Sequence, residues 1–320
     1  MRRVLAAILA AVSLWLPAAA GAQSYPSKSV RFVLPFGAGS ATDAFARVLG
    51  QELEQTLGQS IIVVPKPGAD GALAAGEVKR SAPDGYTFLF GTNSPLAVAP
   101  NMLKEPPYDV VADFTPVTLL GDNTFFIVVH PSLPVTSVAE LVALAKSSPT
   151  PLNYATGNTY AFVSMAIFAA NNGIKLEAVR YKSEPDAMTD LLSGRVTLMN
   201  ATPTSILPHV KAGRLRALST SLPRRSPLIP EVPSFTEAGQ KALPIGPWFA
   251  LVGPAGLPPD IVASMNKAMA AVLAKPSIIE QMQRHGITPQ SSTPQALAGY
   301  MKEQLGVWKI ALRDAGIEPQ

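Results

Sequence analysis

The sequence contains no cysteine. That absence excludes disulfide scaffolds, thiol nucleophiles and Cys-ligated metals together, and it is compatible with an oxidising compartment. Histidine is nearly missing too. His130, His209 and His285 are scattered, with no H-x-x-x-H or H-E-x-x-H spacing, so no zinc site is expected. His130 precedes a proline and His209 follows one, and both read as surface or capping residues. Charge is sparse at 15%, with 26 basic residues against 22 acidic. No run of Lys or Arg exceeds two, so the chain shows no footprint for nucleic acid. A G-x-S-x-G elbow is absent; Gly37-Ala38-Gly39-Ser40-Ala41 misses it by one register. With no nucleophile–base motif, the chain is expected not to be an enzyme. What it does have is apolar content, 48% of 320 residues, enough for two domains' worth of core. Its 31 prolines end many short segments at defined turns.

The one long greasy stretch is at the start. Met1-Arg2-Arg3 leads into an apolar run from Val4 to Leu16, followed by Pro17 and Ala18-Ala19-Ala20-Gly21-Ala22. A charged start, a short apolar core and an A-x-A site predict a signal peptide over 1–22 with Gln23 as the new N-terminus. The run is shorter than the roughly 20 residues a spanning helix needs. An exported, soluble protein is expected, since no later stretch runs on without polar groups.

Along the mature chain, a short β-branched strand at Val30–Phe36 is predicted to feed a helix carrying Phe45, Leu49, Leu53 and Leu57 and stopped by Gly58. Strands at Ile61–Val64 and Tyr86–Phe90 flank a helix ending near Arg80. Strand–helix alternation implies a parallel sheet with right-handed crossovers. The same grammar recurs, with strands at 125–129, 152–155, 176–181, 196–199 and 215–219 and helices at 137–146, 159–171, 186–192 and 204–211. From Ser221 to Pro247 prolines crowd at 223, 227, 230, 233, 244 and 247, a long connection over the surface or between lobes. A strand at Phe249–Val252 and helices at 259–273, 277–285 and 294–315 complete the chain. The last helix carries Leu297, Met301, Leu305, Trp308 and Leu312 on one face. Two α/β halves and a return imply two lobes around a cleft, where strand ends feed helix starts.

Two loops have the grammar for anion binding. Phe36-Gly37-Ala38-Gly39-Ser40-Ala41-Thr42-Asp43 leaves a strand and opens a helix, whose first N–H groups lack partners and carry partial positive charge. Taken alone it serves equally as a plain tight turn. A nucleotide loop fits poorly, because the third Gly and the Lys-Ser/Thr pair are missing. Thr156-Gly157-Asn158-Thr159 has the same shape in the other half, and Thr92-Asn93-Ser94 is a third polar turn after a strand. Facing each other, the two loops would hold one small anion. Lys182 ends a strand and could meet a carboxylate, although a solvated lysine is the commoner role. Trp248 beside Pro247 fits either a cleft wall or a hinge.

An ordered set of motifs spans the mature chain. It includes Tyr25-Pro-Ser-Lys28, Val33-Leu-Pro-Phe36 with Thr42-Asp43, Pro67-Gly-Ala-Asp-Gly71, Ala82-Pro-Asp-Gly-Tyr-Thr87, Phe114-Thr-Pro-Val117, His130-Pro-Ser-Leu-Pro134, Leu152-Asn-Tyr-Ala155, Tyr181-Lys182, Pro208-His-Val-Lys-Ala-Gly213 and Asp314-Ala-Gly-Ile317. The set resembles the substrate-binding proteins of tripartite tricarboxylate transporters, the Bug (Bordetella uptake gene) or TctC-like receptors. The resemblance implies a periplasmic, monomeric α/β protein of type II Venus-flytrap form, each lobe a mostly parallel sheet flanked by helices, with two crossovers, no cofactor and no catalysis. It implies 23–122 as the first part of lobe 1, 123–222 as lobe 2, and 223–320 as the return, the completion of lobe 1 and the C-terminal helices. Such receptors bind small carboxylates with the loops matching 36–43 and 156–159. They pass the ligand to a membrane carrier of one large and one small integral subunit; the rival role is signalling to a membrane sensor. The family's PFPPGGGTD stands here with Ser40 and Ala41 for two glycines. At the strand end where many members place a cleft-facing Asp, this chain has Asn200-Ala201-Thr202, with Ala201 at the Asp position and Thr202 left to face the ligand. A simple carboxylate is therefore expected rather than an amino acid.

Overall fold

The computed structural model describes residues 25–319. The leader at 1–22 and the cleavage site lie outside them. Two sheets organise the chain. Val30–Leu34 (β1), Ile61–Pro65 (β2), Thr87–Thr92 (β3), Phe114–Asn123 (β4), Trp248–Pro254 (β10) and Ile287–Pro289 (β11) form one, in the order β11-β4-β10-β3-β1-β2. Phe126–Val129 (β5), Leu152–Thr156 (β6), Leu176–Arg180 (β7), Leu198–Ala201 (β8) and Arg216–Thr220 (β9) form the other, in the order β7-β6-β8-β5-β9.

The helices follow from their periodicity. Ala41–Leu57 (α1) buries Phe45, Leu49 and Leu53, is capped by Ser40, and stops at Gly58 in the left-handed region. Ala72–Lys79 (α2) leads on to β3, and a wide π-helical turn at Ser94–Val98 runs into Ala99–Met102 (α3). In the second lobe Val138–Ser147 (α4), Thr159–Asn172 (α5), Glu184–Leu192 (α6) and Pro203–Lys211 (α7) alternate with strands. Pro259–Leu273 (α8), Pro276–Gln283 (α9) and Pro294–Asp314 (α10) close the chain. The expected face of α10 buries Leu297, Met301, Trp308 and Leu312.

Three features depart from expectation. The sheets are mixed, not mostly parallel. β1 pairs in parallel with β2 and β3, but β10 is antiparallel to β3 and β4, and β11 to β4. In the second sheet β5 is antiparallel to β8 and β9, whereas β6 is parallel to β7 and β8. The reason is the crossovers: β5 and β10, which receive the chain from the other lobe, enter their sheets from the opposite end to the strand–helix–strand units, whereas β4 and β9, which send it out, run with those units. Second, the ten-residue β4 carries Pro116 and Gly121, which read as breakers. Pro116 pairs with Val252 beside a register shift, where a missing N–H is tolerated. Third, the Pro-rich return is the expected long connection without helix or strand, but it does not merely cross the surface. It buries Ile229, Val232 and Phe235 against the second sheet's core, and the Thr220 N–H donates to Pro233 O at 2.9 Å.

The two crossovers lie side by side. Asn123 N–H donates to Pro247 O at 3.2 Å, and Ser221 N–H to Phe125 O at 2.8 Å. Around them one apolar cluster joins Val33 and Leu89 of the first lobe, Tyr160 and Ile167 of the second, and Met301 and Trp308 of α10. The hinge side is thus a continuous core.

Gly121 marks where that hinge is tight. Its φ is +139°, and a Cβ there would strike the Thr288 carbonyl of β11. Gly121→Ala is expected to cost about 2–4 kcal/mol, seen as a lower midpoint in thermal unfolding. Gly246→Ala, where a Cβ meets open space, should leave the midpoint in place.

Candidate functional site

Strand ends and helix starts from both lobes meet at a cavity of about 460 Å³. The β1–α1 loop supplies Phe36, Ser40, Ala41 and Thr42; the end of β3 supplies Thr92, Asn93 and Ser94. From the second lobe come Gly157 and Asn158 before α5, Glu184 at the start of α6, and Thr202 before α7. Phe125, Tyr160, Trp248 and Phe249 form apolar walls, with Asn123 and Pro247 at the hinge.

Each loop is shaped by capping. Ser40 Oγ accepts the Asp43 N–H at 3.2 Å, and Ser40 O that of Ala44 at 3.0 Å. The N–H groups of Ala41 and Thr42, both on the cavity wall, are the ones an α-helix leaves free. Asn158 Oδ1 accepts the Ala161 N–H at 2.8 Å in the same manner. Gly157 is fixed by packing, since a Cβ there would strike the backbone of Ser183 and Glu184. Four helices and the Ser94–Val98 turn therefore point their N-termini at one space. Their partial positive charges add, and no Lys, Arg or His lines that space.

Three residues of this wall each carry a buried polar atom without a partner: Asn93 Nδ2, Trp248 Nε1 and Asn123 Oδ1. Each such group costs on the order of 1–3 kcal/mol if left unpaired. Two are donors suited to an anion.

The remaining expected residues lie elsewhere. Ala38 and Gly39 are exposed. Asp43 is buried but turned into its own loop, where it accepts the Gly39 N–H at 3.0 Å and pairs with Arg47 at 3.0 Å. Thr156 and Lys182 line an adjoining cavity of about 800 Å³ with Asp70, Arg180 and Tyr181. Thr159 donates to Asp70 Oδ1 at 3.0 Å. Asp70, at φ +52°, also takes Arg180 at 2.6 and 2.8 Å, so it latches the first lobe to the second. Arg180 lies 4.9 Å over the Phe162 ring.

Sequence reasoning missed Asn123, Phe125, Tyr160, Glu184, Pro247 and Phe249. Asn123 ends the missed strand β4, and Phe125 follows it. Glu184 had a signal: Ser183 before Glu184-Pro185 is a helix start after a strand, the same grammar as the other loops. The structure also places Asn200 and Ala201 inside β8, and Thr202 at its end donates its N–H and Oγ–H to Glu184 Oε1 at 2.8 and 2.6 Å. The cleft therefore holds a carboxyl at this strand end after all, supplied from α6. Burial pushes the Glu184 carboxyl above the usual range, partly offset by hydrogen bonds from Thr202 and Ser205.

The chain is similar to known proteins along most of its length. The family described as "Tripartite tricarboxylate transporter family receptor", TctC, matches residues 45–317. The fold is similar to that of R. palustris Rpa4515 with adipate, at a TM-score of 0.89 and 32% identity over 92% of this chain and 100% of that one. It is similar to the periplasmic binding protein BugD, at 0.87 and 30% identity over 92% and 100%. It is also similar to MatC (Rpa3494) from Rhodopseudomonas palustris with bound malate, at 0.83 and 28% identity over 90% and 100%. These are binding proteins and receptors rather than enzymes. Among the described residues no helix is long and apolar enough to cross a membrane. The chain belongs to the TctC family of tripartite tricarboxylate transporter receptors.

Proposed function

We propose that this protein is a monomeric periplasmic receptor that binds a small organic acid between its lobes. It delivers that acid to a tripartite carrier of one large and one small integral membrane subunit. The observation that carries the reading is the set of unpartnered buried donors, Asn93 Nδ2 and Trp248 Nε1, in a cavity ringed by helix N-termini. A ligand carboxylate supplies acceptors that the protein itself does not. The adipate of Rpa4515 and the malate of MatC are acids of the fitting class. Ligand that bridges both lobes favours the closed arrangement, and the carrier recognises that state.

Thermal unfolding against a panel of carboxylates, amino acids and sugars tests this. A ligand at a hundred times its Kd adds about 2.7 kcal/mol, several degrees at this size. A shift confined to carboxylates is expected. No shift with any acid, in protein stripped of carried-over ligand, would sink the reading.

Two variants probe its parts. Trp248→Phe removes a donor with no partner in the protein. It should weaken acid binding about tenfold to a hundredfold while leaving the ligand-free midpoint unchanged or higher. Arg180→Ala breaks a half-exposed latch worth at most about 1 kcal/mol, so calorimetry should show affinity lowered no more than about fivefold.

A further inference from the structure

Glu184 is out of place in an anion site. It is 6% exposed, it lines the cavity, and no cation answers it. Its hydrogen bonds come from Thr202 N–H and Oγ–H, both on Oε1, and from Asn158 Nδ2 at 3.4 Å from Oε2, and the Ser205 hydroxyl nearby adds some support to the charged form. The Asn158 contact is long, and the amide cannot turn to improve it because its Oδ1 is held by the Ala161 N–H. Oε1 is therefore saturated, and Oε2 has no hydrogen bond shorter than the 3.4 Å contact with Asn158.

The charged groups around it are all occupied or distant. On its own helix Asp186 accepts from Ser183 Oγ at 2.7 Å. Lys182 faces the adjoining cavity. Across the cleft Asp43 is paired with Arg47, and Asp70 with Arg180. Below α7, His285 lies 3.4 Å from Thr204, and burial holds it below its ordinary value, so it brings no charge near neutrality. At the far end of α7 stand His209 and Lys211, in the last turn. None of these makes a hydrogen bond or ion pair with Glu184.

An ionised Glu184 and a ligand carboxylate in one water-poor cavity would repel each other, as in paired carboxylates that share a single proton. We propose that Glu184 meets the ligand as a neutral carboxylic acid, Oε1 fixed by Thr202 and Oε2 carrying the hydrogen that a ligand carboxylate accepts, so that each acid bound brings a proton with it. The proposal rests on the carboxylate reading above and refines it: the site takes an organic acid plus H⁺. Protonation is balanced simply, with solvent supplying the proton to Oε2 on binding and recovering it on release. The upward push that burial gives the carboxyl agrees with this.

The sign of the pH dependence follows. Below the pKa of Glu184 in the ligand-free protein, the carboxyl is already neutral and affinity is flat. Above it, each pH unit costs about tenfold in affinity, because a proton must be taken up first. Calorimetric titration of the protein with adipate and with malate, from about pH 6 to about pH 9, in buffers of unlike ionisation heat, reads this directly. The expected result is falling affinity with rising pH and proton uptake approaching one per ligand. Glu184→Gln keeps the acceptor for Thr202 and a donor in place of Oε2–H. It should bind with flat affinity near the wild-type acid limit and take up no proton.

Flat wild-type affinity with no proton uptake would overturn the proposal. So would affinity that rises with pH and is lost in Glu184→Gln, the signature of an ionised Glu184 facing a ligand cation. If neither acid binds at any pH, the receptor reading fails separately. The infrared C=O stretch of a protonated carboxyl, growing in ligand-free protein as the pH falls and missing in Glu184→Gln, then decides whether Glu184 takes up a proton by itself, and its absence at every pH where the protein stays folded would overturn that too.

Discussion

A buried anion needs positive charge, and this cavity has no cationic side chain with which to supply it. The charge comes instead from peptide dipoles at the N-termini of α1, α5, α6 and α7 and the turn at Ser94–Val98. Much else follows from that constraint. The strands must end at the cleft so that the helices can begin there, which fixes the order of elements in both lobes. The joining loops must be short and capped, which is why Ser40, Asn158 and Ser183 each accept an N–H three residues on. Each such cap satisfies one donor inside the helix and leaves the first turn's others for a guest. A single helix end is worth about 0.3–1 kcal/mol to an anion, rising to about 2 where it is partly buried. Several of them rival a lysine without the rotamer entropy a lysine must lose on being held.

The hinge and the rim divide the work of closure. On the hinge side, Phe125 and Tyr160 pack at 4.7 Å and Tyr160 meets Trp308 edge-on at 6.3 Å, within a core that both lobes share. Opening has to pivot about that cluster rather than dissolve it. At the rim, Arg180 and Asp70 are partly exposed to solvent, and such a pair is worth little. This rim pair by itself therefore adds little to holding the lobes together. A ligand that touches both lobes can then decide the equilibrium, as a receptor requires.

Much of this was legible in the sequence. Helices showed through periodic apolar faces and caps, as at Phe45-Leu49-Leu53 with Gly58. The wall residues Ser40, Thr42, Asn93, Gly157 and Asn158 showed through loop grammar, because anion sites at helix starts are a local property. What was hidden was non-local. β4 was obscured by Pro116 and Gly121, whose fit depends on a register shift in β10 and a close approach by β11. The mixed strand directions depend on how two crossovers enter the sheets. Asp43 and Thr159 are expected at the ligand through the family resemblance of their loops, and the structure engages Asp43 with Arg47 and Thr159 with Asp70. A loop sequence shows which groups are available, not which of them a partner far along the chain has already claimed.

The acids around the cleft carry that lesson further. Asp43 is neutralised by Arg47 within its own helix, and Asp70 by Arg180 from the opposite lobe. Both shape the walls and leave the cavity's potential to the peptide dipoles. Glu184 has hydrogen bonds from Thr202 but no cation, and it stands on the wall itself. Its own place at the first turn of α6 favours the ionised form, and its burial favours the neutral one. An organic anion arriving beside it tips that balance toward the neutral acid. A wall residue that reads as the wrong charge for its site thereby becomes one more donor facing the guest.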